Sequence, residues 1–300
     1  DVVISLERTY CQEIYRAGDG CHREWLLRKG VAAGPLKRFF IPLNPLHTVL
    51  LHLEKRLFSD PGLKMVVANS KSVKRDIIRH YGLPEEKICV IYNGIDAGRI
   101  APVSHEEKAR LRVELGIEAG MVTLLFVGSG FERKGLRYLI RAMGLLRDVD
   151  VRLIVVGKGR TSDYEREALK AGAVERGSFK GPVKSAIKYY QASDIFVLPT
   201  LYEPFSNACL EAMATGLPVV TSIVNGASEV ISDGESGAVV DDPTDHVALA
   251  GRIREFMSAD KRASASVLAR KAAEALTIEK NVDAFIQLID DIARKDKRLI

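Results

Sequence analysis

The sequence contains few cysteines and no long apolar run. The four cysteines are scattered and form no Cys-x-x-Cys pair: they are Cys11, Cys21, Cys89 and Cys209. This spacing excludes a disulfide-dense scaffold and favours reduced thiols over a metal site. No apolar segment reaches the roughly 18 residues of a membrane-spanning helix, and the chain does not open with a signal peptide. We therefore expect a cytoplasmic protein.

A strong excess of charge of either sign is also absent. The 300 residues carry a formal net charge of +5, and 28% of them are charged. So small a surplus does not indicate a nucleic-acid-binding protein, but it suits anionic ligands such as phosphates or a lipid surface. The length allows one large domain or two ordinary ones, and an apolar content of 47% is enough for packed cores.

An initiator methionine is missing as well. The chain begins with Asp1, and residues 1–6 have the pattern of a strand that is already under way. Because proteins rarely begin inside a core strand, we expect the natural N-terminus to lie upstream, so that the first domain is truncated.

Short apolar runs alternate with amphipathic helical stretches along most of the chain. Six runs predict buried strands, at residues 64–68, 88–92, 122–127, 151–156, 194–198 and 218–221. They are rich in Val and Ile without strict alternation, as expected of strands that are covered on both faces. Helical segments lie between them, at residues 71–81, 135–146, 183–192 and 207–214. This order predicts an α/β fold with doubly wound parallel sheets.

Turn-forming residues at 93–96 and a polar stretch at 102–108 indicate a domain boundary. We expect residues 1–100 to be the later part of one Rossmann-like domain, and residues 101–280 to be a complete second one. An amphipathic stretch at 279–295 predicts a final helix. Residues 281–300 would then pack back toward the first domain.

The first candidate site is the loop after the strand that ends at Val127. Residues 128–135 read Gly-Ser-Gly-Phe-Glu-Arg-Lys-Gly, and in open α/β sheets ligands bind beyond the carboxyl ends of the strands. The glycines allow a ligand to approach the backbone closely, and the next helix offers its N-terminus to an anion. The positive charges of Arg133 and Lys134 suit a diphosphate. The spacing fits neither the dinucleotide fingerprint nor a P-loop. The alternative is an ordinary strand–helix turn with solvated basic residues.

The second candidate site follows the strand that ends near residue 199. Glu203 lies in the loop, Ser206 or Asn207 would cap the next helix, and Glu211 falls about a turn inside it. Two carboxylates on either side of a helix start can face one ligand from different heights, and free N–H groups near residues 205–207 would bind an anion. Alternatively, Glu203 is a surface loop residue and Glu211 interacts with the helix dipole.

Both candidate sites resemble motifs of one enzyme family. Residues 203–220 read Glu-Pro-Phe-Ser-Asn-Ala-Cys-Leu-Glu-Ala-Met-Ala-Thr-Gly-Leu-Pro-Val-Val, and they resemble the E-x7-E region of retaining glycosyltransferase family 4, whose fold is GT-B. Residues 126–135 resemble the diphosphate-binding loop of that family, and the resemblance covers about residues 60–290. Residues 14–22 are similar to the subgroup that transfers glucose to the heptose of the lipopolysaccharide core.

The resemblance implies a set of donor-binding residues. In chain order, these would be Gly128, Ser129, Arg133, Lys134, Val183, Phe205, Ser206, Asn207 and Glu211. The amides of residues 205–207 would hold sugar and phosphate, and Glu211 would accept hydrogen bonds from the ribose hydroxyls. Arg133 and Lys134 would neutralise the departing diphosphate, and Val183 would lie beside the base.

Two further residues would serve the reaction itself. Glu203 would hydrogen-bond the sugar hydroxyls, and Asp19 stands on the acceptor side, where the family often has His. The enzyme would transfer a hexose, with glucose from UDP-glucose expected, to a glycolipid or lipopolysaccharide core acceptor with retention. Fixed cations and helix N-termini stabilise the leaving group, so no metal or other cofactor is expected. A truncated sugar-nucleotide-binding module without turnover, or a UDP-sugar epimerase, are the alternatives.

Two other glycine or carboxylate motifs carry less weight. Asp148-Val149-Asp150 has the D-x-D spacing of metal-dependent sugar transferases of another fold, but it precedes its strand and so lies at the opposite edge of the sheet. Residues 157–159, Gly-Lys-Gly, follow a strand on the ligand side, although a lone G-x-G is a weak signal.

Residues 23–56 combine cations with large apolar side chains. The cations outnumber Glu24 and Glu54; they are Arg23, Arg28, Lys29, Lys37, Arg38, Lys55 and Arg56. Interleaved with them are Trp25, Leu26, Leu27, Phe39 and Phe40. This composition suits docking on an anionic membrane surface, at its cytoplasmic face. A solvated connecting segment is the alternative, and nothing indicates base stacking, so nucleic acid is not an expected partner.

Overall fold

The computed structural model describes residues 2–40 and 44–297, with the side chains of residues 33–40 and 295–297 outside that description. The chain forms two compact units. Unit 1 comprises Asp1–Gly94, Tyr202–Phe205 and Leu276–Ile300, and unit 2 comprises Ile95–Leu201 and Ser206–Ala275. The chain changes unit four times, whereas the sequence predicted two boundaries, at residues 100 and 280.

Unit 1 is built on a four-stranded parallel sheet. Its strands, in the order β1-β2-β3-β4, are β1 (Ile4–Ser5), β2 (Ile14–Ala17), β3 (Met65–Ala68) and β4 (Ile88–Val90). Helices α1 (His22–Phe40) and α2 (Pro45–Phe58) connect β2 to β3, and α3 (Lys71–Tyr81) connects β3 to β4.

The sheet of unit 1 is covered on both faces. Val66 belongs to a core with residues of α2 and α3, including Leu57 and Ile77. The neighbouring Val67 points to the other face and packs in a core with Ile292 of the helix Ile278–Lys297. The amphipathic segment near residue 280 is therefore a helix that belongs to unit 1.

Unit 2 is built on a six-stranded parallel sheet. Its strands are β5 (Val122–Val127), β6 (Val151–Val156), β7 (Gly177–Gly181), β8 (Ile195–Leu198), β9 (Val219–Ser222) and β10 (Gly237–Val240). They are ordered β10-β9-β8-β5-β6-β7. The chain starts at β5 in the middle, runs outward to β7 and returns to the other side of β5 with β8. In doubly wound sheets, the ligand crevice lies at such a reversal, beyond the carboxyl ends of the strands.

Helices complete unit 2 on both faces of its sheet. They are α4 (His105–Glu114), α5 (Leu136–Leu145), α6 (Ser162–Ala171), α7 (Ile187–Ala192), α8 (Asn207–Ala214), α9 (His246–Arg254) and α10 (Ala259–Glu274).

The final helix, Ile278–Lys297 of unit 1, is α11. Within residues 2–40 and 44–297, no helix is long and apolar enough to cross a membrane.

A buried carboxylate fixes the amino ends of β5 and β8. Asp194 accepts hydrogen bonds from Lys108 Nζ at 2.8 Å, from Arg112 Nη1 at 2.9 Å and from the Thr123 N–H at 2.9 Å. Burial raises the pKa of this carboxyl, but the two cations and the N–H outweigh it and hold the pKa below its ordinary value. Asp194 thereby attaches α4 to the sheet at the edge opposite the candidate loops.

The predicted α/β fold with two parallel sheets is confirmed, and all six predicted strands are present. Strands β2, β7 and β10 were not predicted. β7 reads Gly-Ser-Phe-Lys-Gly and lies at the edge of the sheet, so it needs no continuous apolar run. The helix predicted from residue 183 begins four residues later, at Ile187, and residues 182–186 are irregular.

Candidate functional site

The carboxyl ends of β5 and β8 lie side by side in unit 2. The two strands pair through Leu124 and Leu125 of β5. Beyond them, the Leu201 N–H and the Thr200 hydroxyl both donate to the Arg133 carbonyl, each at 2.8 Å. The loop at residues 128–135 is therefore held directly against the end of β8.

Gly135 closes this loop at the N-terminus of α5. Its φ is 75°, a left-handed conformation that favours glycine. A Cβ at this position would overlap the Pro199 carbonyl oxygen. Only glycine therefore allows the first turn of α5 to approach the end of β8, where its N–H groups can face an anion.

Backbone hydrogen bonds join the loops after β5, β6 and β7 into one wall. The Gly128 N–H donates to the Val156 carbonyl at 3.0 Å, and the Gly157 N–H donates to the Gly181 carbonyl at 2.9 Å. The Lys158 N–H donates to Ser129 Oγ at 3.2 Å. The 157–159 segment thus lines the same edge as the 128–135 loop, while Val183 lies two residues beyond Gly181, on the loop after β7.

The 128–135 loop is positively charged. It carries Arg133 and Lys134, both half-buried, against the single carboxylate of Glu132. The methylenes of Lys134 run along the backbone at Gly128, 3.4 Å from where a Cβ of that residue would lie. A cation held along a glycine backbone at a helix N-terminus is suited to a phosphate group.

Helix α8 begins at the same edge of the sheet. Ser206 is its N-cap, with a side-chain oxygen that accepts from the Cys209 N–H at 3.3 Å. Asn225 fixes that cap from the loop after β9: its Oδ1 accepts from the Ser206 N–H at 3.3 Å, and its Nδ2 donates to Thr221 Oγ1 at 2.9 Å. Asn207, the first residue of α8, is exposed.

Glu211 lies in the second turn of α8 and is half-buried. Burial raises the pKa of its carboxyl, and the neighbouring Tyr190 hydroxyl opposes that rise. Tyr190 itself is buried, and burial and the Glu211 charge raise its pKa. No hydrogen bond of good geometry reaches the Tyr190 hydroxyl from the described residues. A half-buried carboxylate of this kind is stabilised by ligand hydroxyls, which replace the water it has lost.

Three of the predicted site residues belong to unit 1. Glu203 and Phe205 lie in the Tyr202–Phe205 segment and are buried, and the Phe205 ring packs against Tyr92 with 5.6 Å between centroids. Asp19 lies in the loop between β2 and α1, with 73% of its side chain exposed and a carboxylate oxygen 3.6 Å from Arg8 Nη1. An exposed carboxylate at the carboxyl end of a strand is available to a ligand.

Sequence reasoning missed Asn225. Followed by Gly226, it has the pattern of a simple turn, and nothing nearby indicates a side chain that reaches the start of α8. The D-x-D motif takes part in a different contact. Asp148 pairs with Arg254 through oxygen–nitrogen distances of 2.9 and 2.6 Å, at the amino end of β6.

Two family models match the chain in the regions just described. A model of Glycosyl transferases group 1 matches residues 122–259, which include the 128–135 loop and Glu211. A model of Glycosyltransferase Family 4 matches residues 19–99, which begin at Asp19. The chain belongs to the group 1, or family 4, glycosyltransferases. The predicted family is thereby confirmed.

Relatives of this family 4 chain are known from several organisms. A glycosyltransferase of Methanocaldococcus jannaschii, described as uncharacterized, is 38% identical over 177 residues, which are 57% of this chain and 45% of that protein. The D-inositol 3-phosphate glycosyltransferase of Thermomonospora curvata is 28% identical over 248 residues, which are 76% of this chain and 57% of that protein. The chain spans about half the length of the curated relatives it matches.

Solved structures of glycosyltransferases share the fold of this family 4 chain. WaaG, a glycosyltransferase involved in lipopolysaccharide biosynthesis, is similar with a TM-score of 0.77 and 25% identity, over 91% of this chain and 74% of that chain. Anabaena Alr3699/HepE, in complex with UDP and glucose, is similar with a TM-score of 0.70 and 22% identity, over 92% and 77%. The two parallel Rossmann-like sheets match GT-B structures, as the sequence predicted.

Proposed function

We propose that this chain binds a nucleotide sugar in unit 2 and takes part in retaining transfer of a hexose. The observation that carries the proposal is the junction of the loops after β5 and β8. There, the cationic 128–135 loop is hydrogen-bonded through the Arg133 carbonyl to residues 200 and 201, at the reversal point of the sheet. This is where a doubly wound sheet binds its ligand.

The groups at this edge suit the chemistry of glycosyl transfer. Breaking the anomeric bond creates an oxocarbenium-like sugar and a diphosphate leaving group. Arg133, Lys134 and the N-termini of α5 and α8 would stabilise the charge that develops on the diphosphate, with each fixed contact contributing about 3 kcal/mol. The ribose hydroxyls would donate to Glu211, whose burial makes such donors valuable.

The family resemblance extends the proposal to the other site residues. Glu203 would hydrogen-bond the hydroxyls of the donor sugar, and the amides of Phe205 and Asn207 would hold sugar and phosphate. The Ser206 amide, expected from the sequence to take part, donates instead to Asn225 Oδ1. Val183 would contact the base, since its loop is joined through Gly181 and Gly157 to the same wall. Asp19 would act on the acceptor side.

UDP-glucose is the donor that we propose, and a glycolipid or lipopolysaccharide core saccharide is the acceptor. The Anabaena neighbour in complex with UDP and glucose supports the donor, and the role of WaaG in lipopolysaccharide biosynthesis supports the acceptor. Relatives that act on D-inositol 3-phosphate make that compound the first rival acceptor to test.

We also propose that α1 and α2 dock on an anionic membrane at its cytoplasmic face. Leu27 and Val31 of α1 and Leu46 and Val49 of α2 are exposed by 46%, 73%, 58% and 55%. The only carboxylates of residues 23–56, Glu24 and Glu54, are buried. The exposed surface of the segment is thus cationic and apolar, as an interfacial helix pair needs. The side chains of Lys37, Arg38, Phe39 and Phe40 lie outside the described residues.

The donor site is tested by calorimetric titration of the chain with UDP, GDP, UDP-glucose and GDP-mannose. We expect selective binding of UDP and UDP-glucose. Glu211→Ala and Lys134→Ala should each raise the Kd at least about tenfold, which is about 1.4 kcal/mol, because each removes a direct ligand contact.

Glu175→Ala and Lys170→Ala serve as matched controls. Both residues are exposed: Lys170 lies in the last turn of α6, and Glu175 lies in the connection from α6 to β7. Both are toward the amino end of the sheet, so their loss should leave the Kd unchanged. Absence of nucleotide binding by the folded chain would refute the donor site. Equal losses in the control variants would show that the effect is one of overall charge.

A binding module without turnover is the second candidate, because the chain spans only about half of its curated relatives. The two functions differ in how UDP is released. A transferase releases UDP from UDP-glucose faster when an acceptor saccharide is added, whereas a binding module releases none under either condition.

A further inference from the structure

Unit 1 contains a cavity that the proposed reaction does not use. Its volume is about 440 Å³, within the range of roughly 300–1,000 Å³ that is typical of small-molecule sites. The first turn of α1 and the C-terminal turns of α2 and α3 surround it. The cavity is lined by Arg23, Leu51, Lys55, Ser59, His80 and Tyr81. None of these side chains is a carboxylate.

The nearest buried carboxylate, Glu54, is already occupied by other groups. It is 1% exposed, and it accepts hydrogen bonds from Arg8 Nε at 3.0 Å and from the Tyr81 hydroxyl at 2.6 Å. It also accepts from the backbone N–H groups of His22 and Arg23, at 2.5 and 3.2 Å. Glu54 therefore caps α1 and pairs with Arg8 rather than with the Arg23 side chain.

A second buried carboxylate, Glu24, is occupied in the same way. Arg28 Nε and Arg79 Nη2 each lie 2.6 Å from its oxygens, and His80 Nε2 lies 2.8 Å away. Arg79 also pairs with Asp76 at 2.8 Å, so Arg28 and Arg79 together balance two carboxylates, Glu24 and Asp76.

Arg23 and Lys55 are the two cations that line the cavity. Among the residues whose side chains the structure describes, neither has an ion-pair or side-chain hydrogen-bond partner. The C-terminal carbonyls of α2 attract Lys55 whatever the cavity holds, but a cation at the N-terminus of α1 is unfavourable with respect to the helix dipole. Glu54 caps this N-terminus, and the Arg23 and Lys55 side chains are both exposed, so they are available to an anion that enters the cavity.

The charge of Arg23 acts on the wall of the cavity. Burial and Glu54 raise the pKa of the Tyr81 hydroxyl, and Arg23 opposes that rise. Ser59, the C-cap of α2, is exposed beside these groups and adds a hydroxyl donor.

We propose that this cavity binds a phosphate ester, which Arg23 and Lys55 hold by charge and Ser59 by a hydrogen bond. The guanidinium fork of Arg23 matches two phosphate oxygens, and the ammonium of Lys55 adds a second positive charge. The volume exceeds that of a bare phosphate, so the rest of the ester also has room. The ester comes either from a phospholipid headgroup or from a soluble phosphorylated saccharide. The inference is independent of the proposed transfer reaction.

Titration of the full chain with inorganic phosphate and with glycerol 3-phosphate tests the site. We expect saturable binding that Arg23→Gln/Lys55→Gln weakens at least about tenfold. The matched control, Lys29→Gln/Arg56→Gln, removes the same charge from the same two helices but outside the cavity. It should change the Kd by no more than about twofold. Lack of saturable binding by the unmodified chain, or equal losses in both double variants, overturns the proposal.

Vesicles distinguish the two sources of the ester. Phosphatidylcholine vesicles that contain phosphatidic acid are compared with vesicles that contain phosphatidylglycerol. A preference for phosphatidic acid that only Arg23→Gln/Lys55→Gln abolishes supports a lipid headgroup. Binding of glycerol 3-phosphate without that preference supports a soluble ester. UDP binding is measured on the same variants; because its proposed site is in unit 2, it should be unaffected and reports on the donor site separately.

Discussion

At the scale of single residues, Asn225 fixes the start of helix α8 at the proposed donor site. Its side chain is fully buried and accepts from the N–H groups of Ser206 and Ala227 while donating to Thr221. It thereby joins β9, the following turn and the start of α8. The position of the α8 N-terminus depends on this one amide group.

We therefore expect Asn225→Ala to damage both stability and binding. It leaves the Ser206 and Ala227 N–H groups buried without partners, which costs about 1–3 kcal/mol, and it loosens the first turn of α8. Urea unfolding followed by circular dichroism, together with UDP titration, measures both effects. Asn207→Ala, at an exposed neighbour, should weaken UDP binding but change the free energy of unfolding by no more than about 0.5 kcal/mol. Unchanged stability of Asn225→Ala would contradict this account.

The sequence indicates some of these residues and not others, for a physical reason. Arg133 and Lys134 follow β5 in the next loop, and Glu211 lies in the helix that follows β8, so local order places them at the carboxyl edge of the sheet. Asn225 acts on Ser206, 19 residues earlier in the chain. A contact of that kind depends on how β8 and β9 pair, which no local pattern reveals.

At the scale of elements, two glycines in the 128–135 loop differ in what surrounds them. Both have positive φ, 74° at Gly130 and 75° at Gly135. A Cβ on Gly130 would meet no atom within 4 Å, whereas one on Gly135 would overlap the Pro199 carbonyl. At position 130, only the left-handed conformation favours glycine. At position 135, close packing against Pro199 requires glycine as well.

This difference predicts unequal effects of the same substitution. Gly130→Ala should cost about 1–2 kcal/mol, the strain of a left-handed alanine. Gly135→Ala should cost about 3 kcal/mol or more, because α5 must also move away from β8, and UDP binding should be lost with it. Urea unfolding of the two variants checks the prediction, and equal destabilisation would show that the junction of β5 and β8 is not tightly packed.

Elements with strong end signals are predicted best from the sequence. Helix α3 has both bounds as predicted, because Ser70 caps its start and Gly82, in a left-handed conformation, ends it. Strand β7 has no such signal: it contains two glycines and one lysine, and only its backbone pairing with β6 defines it. Edge strands of this kind are defined by their neighbours.

At the scale of the whole molecule, the net charge of +5 is small, but its distribution matters. In the α1–α2 segment, both carboxylates are buried while Leu27 and Val31 are exposed. Each cation near an anionic surface contributes about 1 kcal/mol to the free energy of membrane binding. Burial of the apolar side chains adds a contribution that salt does not screen.

We expect Leu27→Ser/Val31→Ser to weaken binding to anionic vesicles about tenfold or more, since each substitution removes about 1–2 kcal/mol of apolar burial. Flotation with phosphatidylglycerol vesicles at increasing salt measures the remaining electrostatic part. Val113→Ser/Val247→Ser, at exposed positions of α4 and α9, is the control and should leave vesicle binding unchanged. Equal behaviour of both double variants would argue against docking through α1.

The alternation of strands and helices is sufficient to predict two parallel sheets, because that pattern has few other solutions. It does not predict that Tyr202–Phe205 belongs to unit 1. Four residues carry no periodicity of their own, and their place follows from tertiary packing such as that of Phe205 on Tyr92.

The packing of α11 has a consequence for the order in which the units are completed during translation. The sheet face of unit 1 that carries Ile14 and Val67 is covered by Ile292 and its neighbours in α11. All of unit 2 leaves the ribosome before α11 does. A nascent chain can thus finish its second unit while the first still exposes an apolar sheet face, and chaperones that hold such surfaces would engage residues 14–90 rather than residues 95–275.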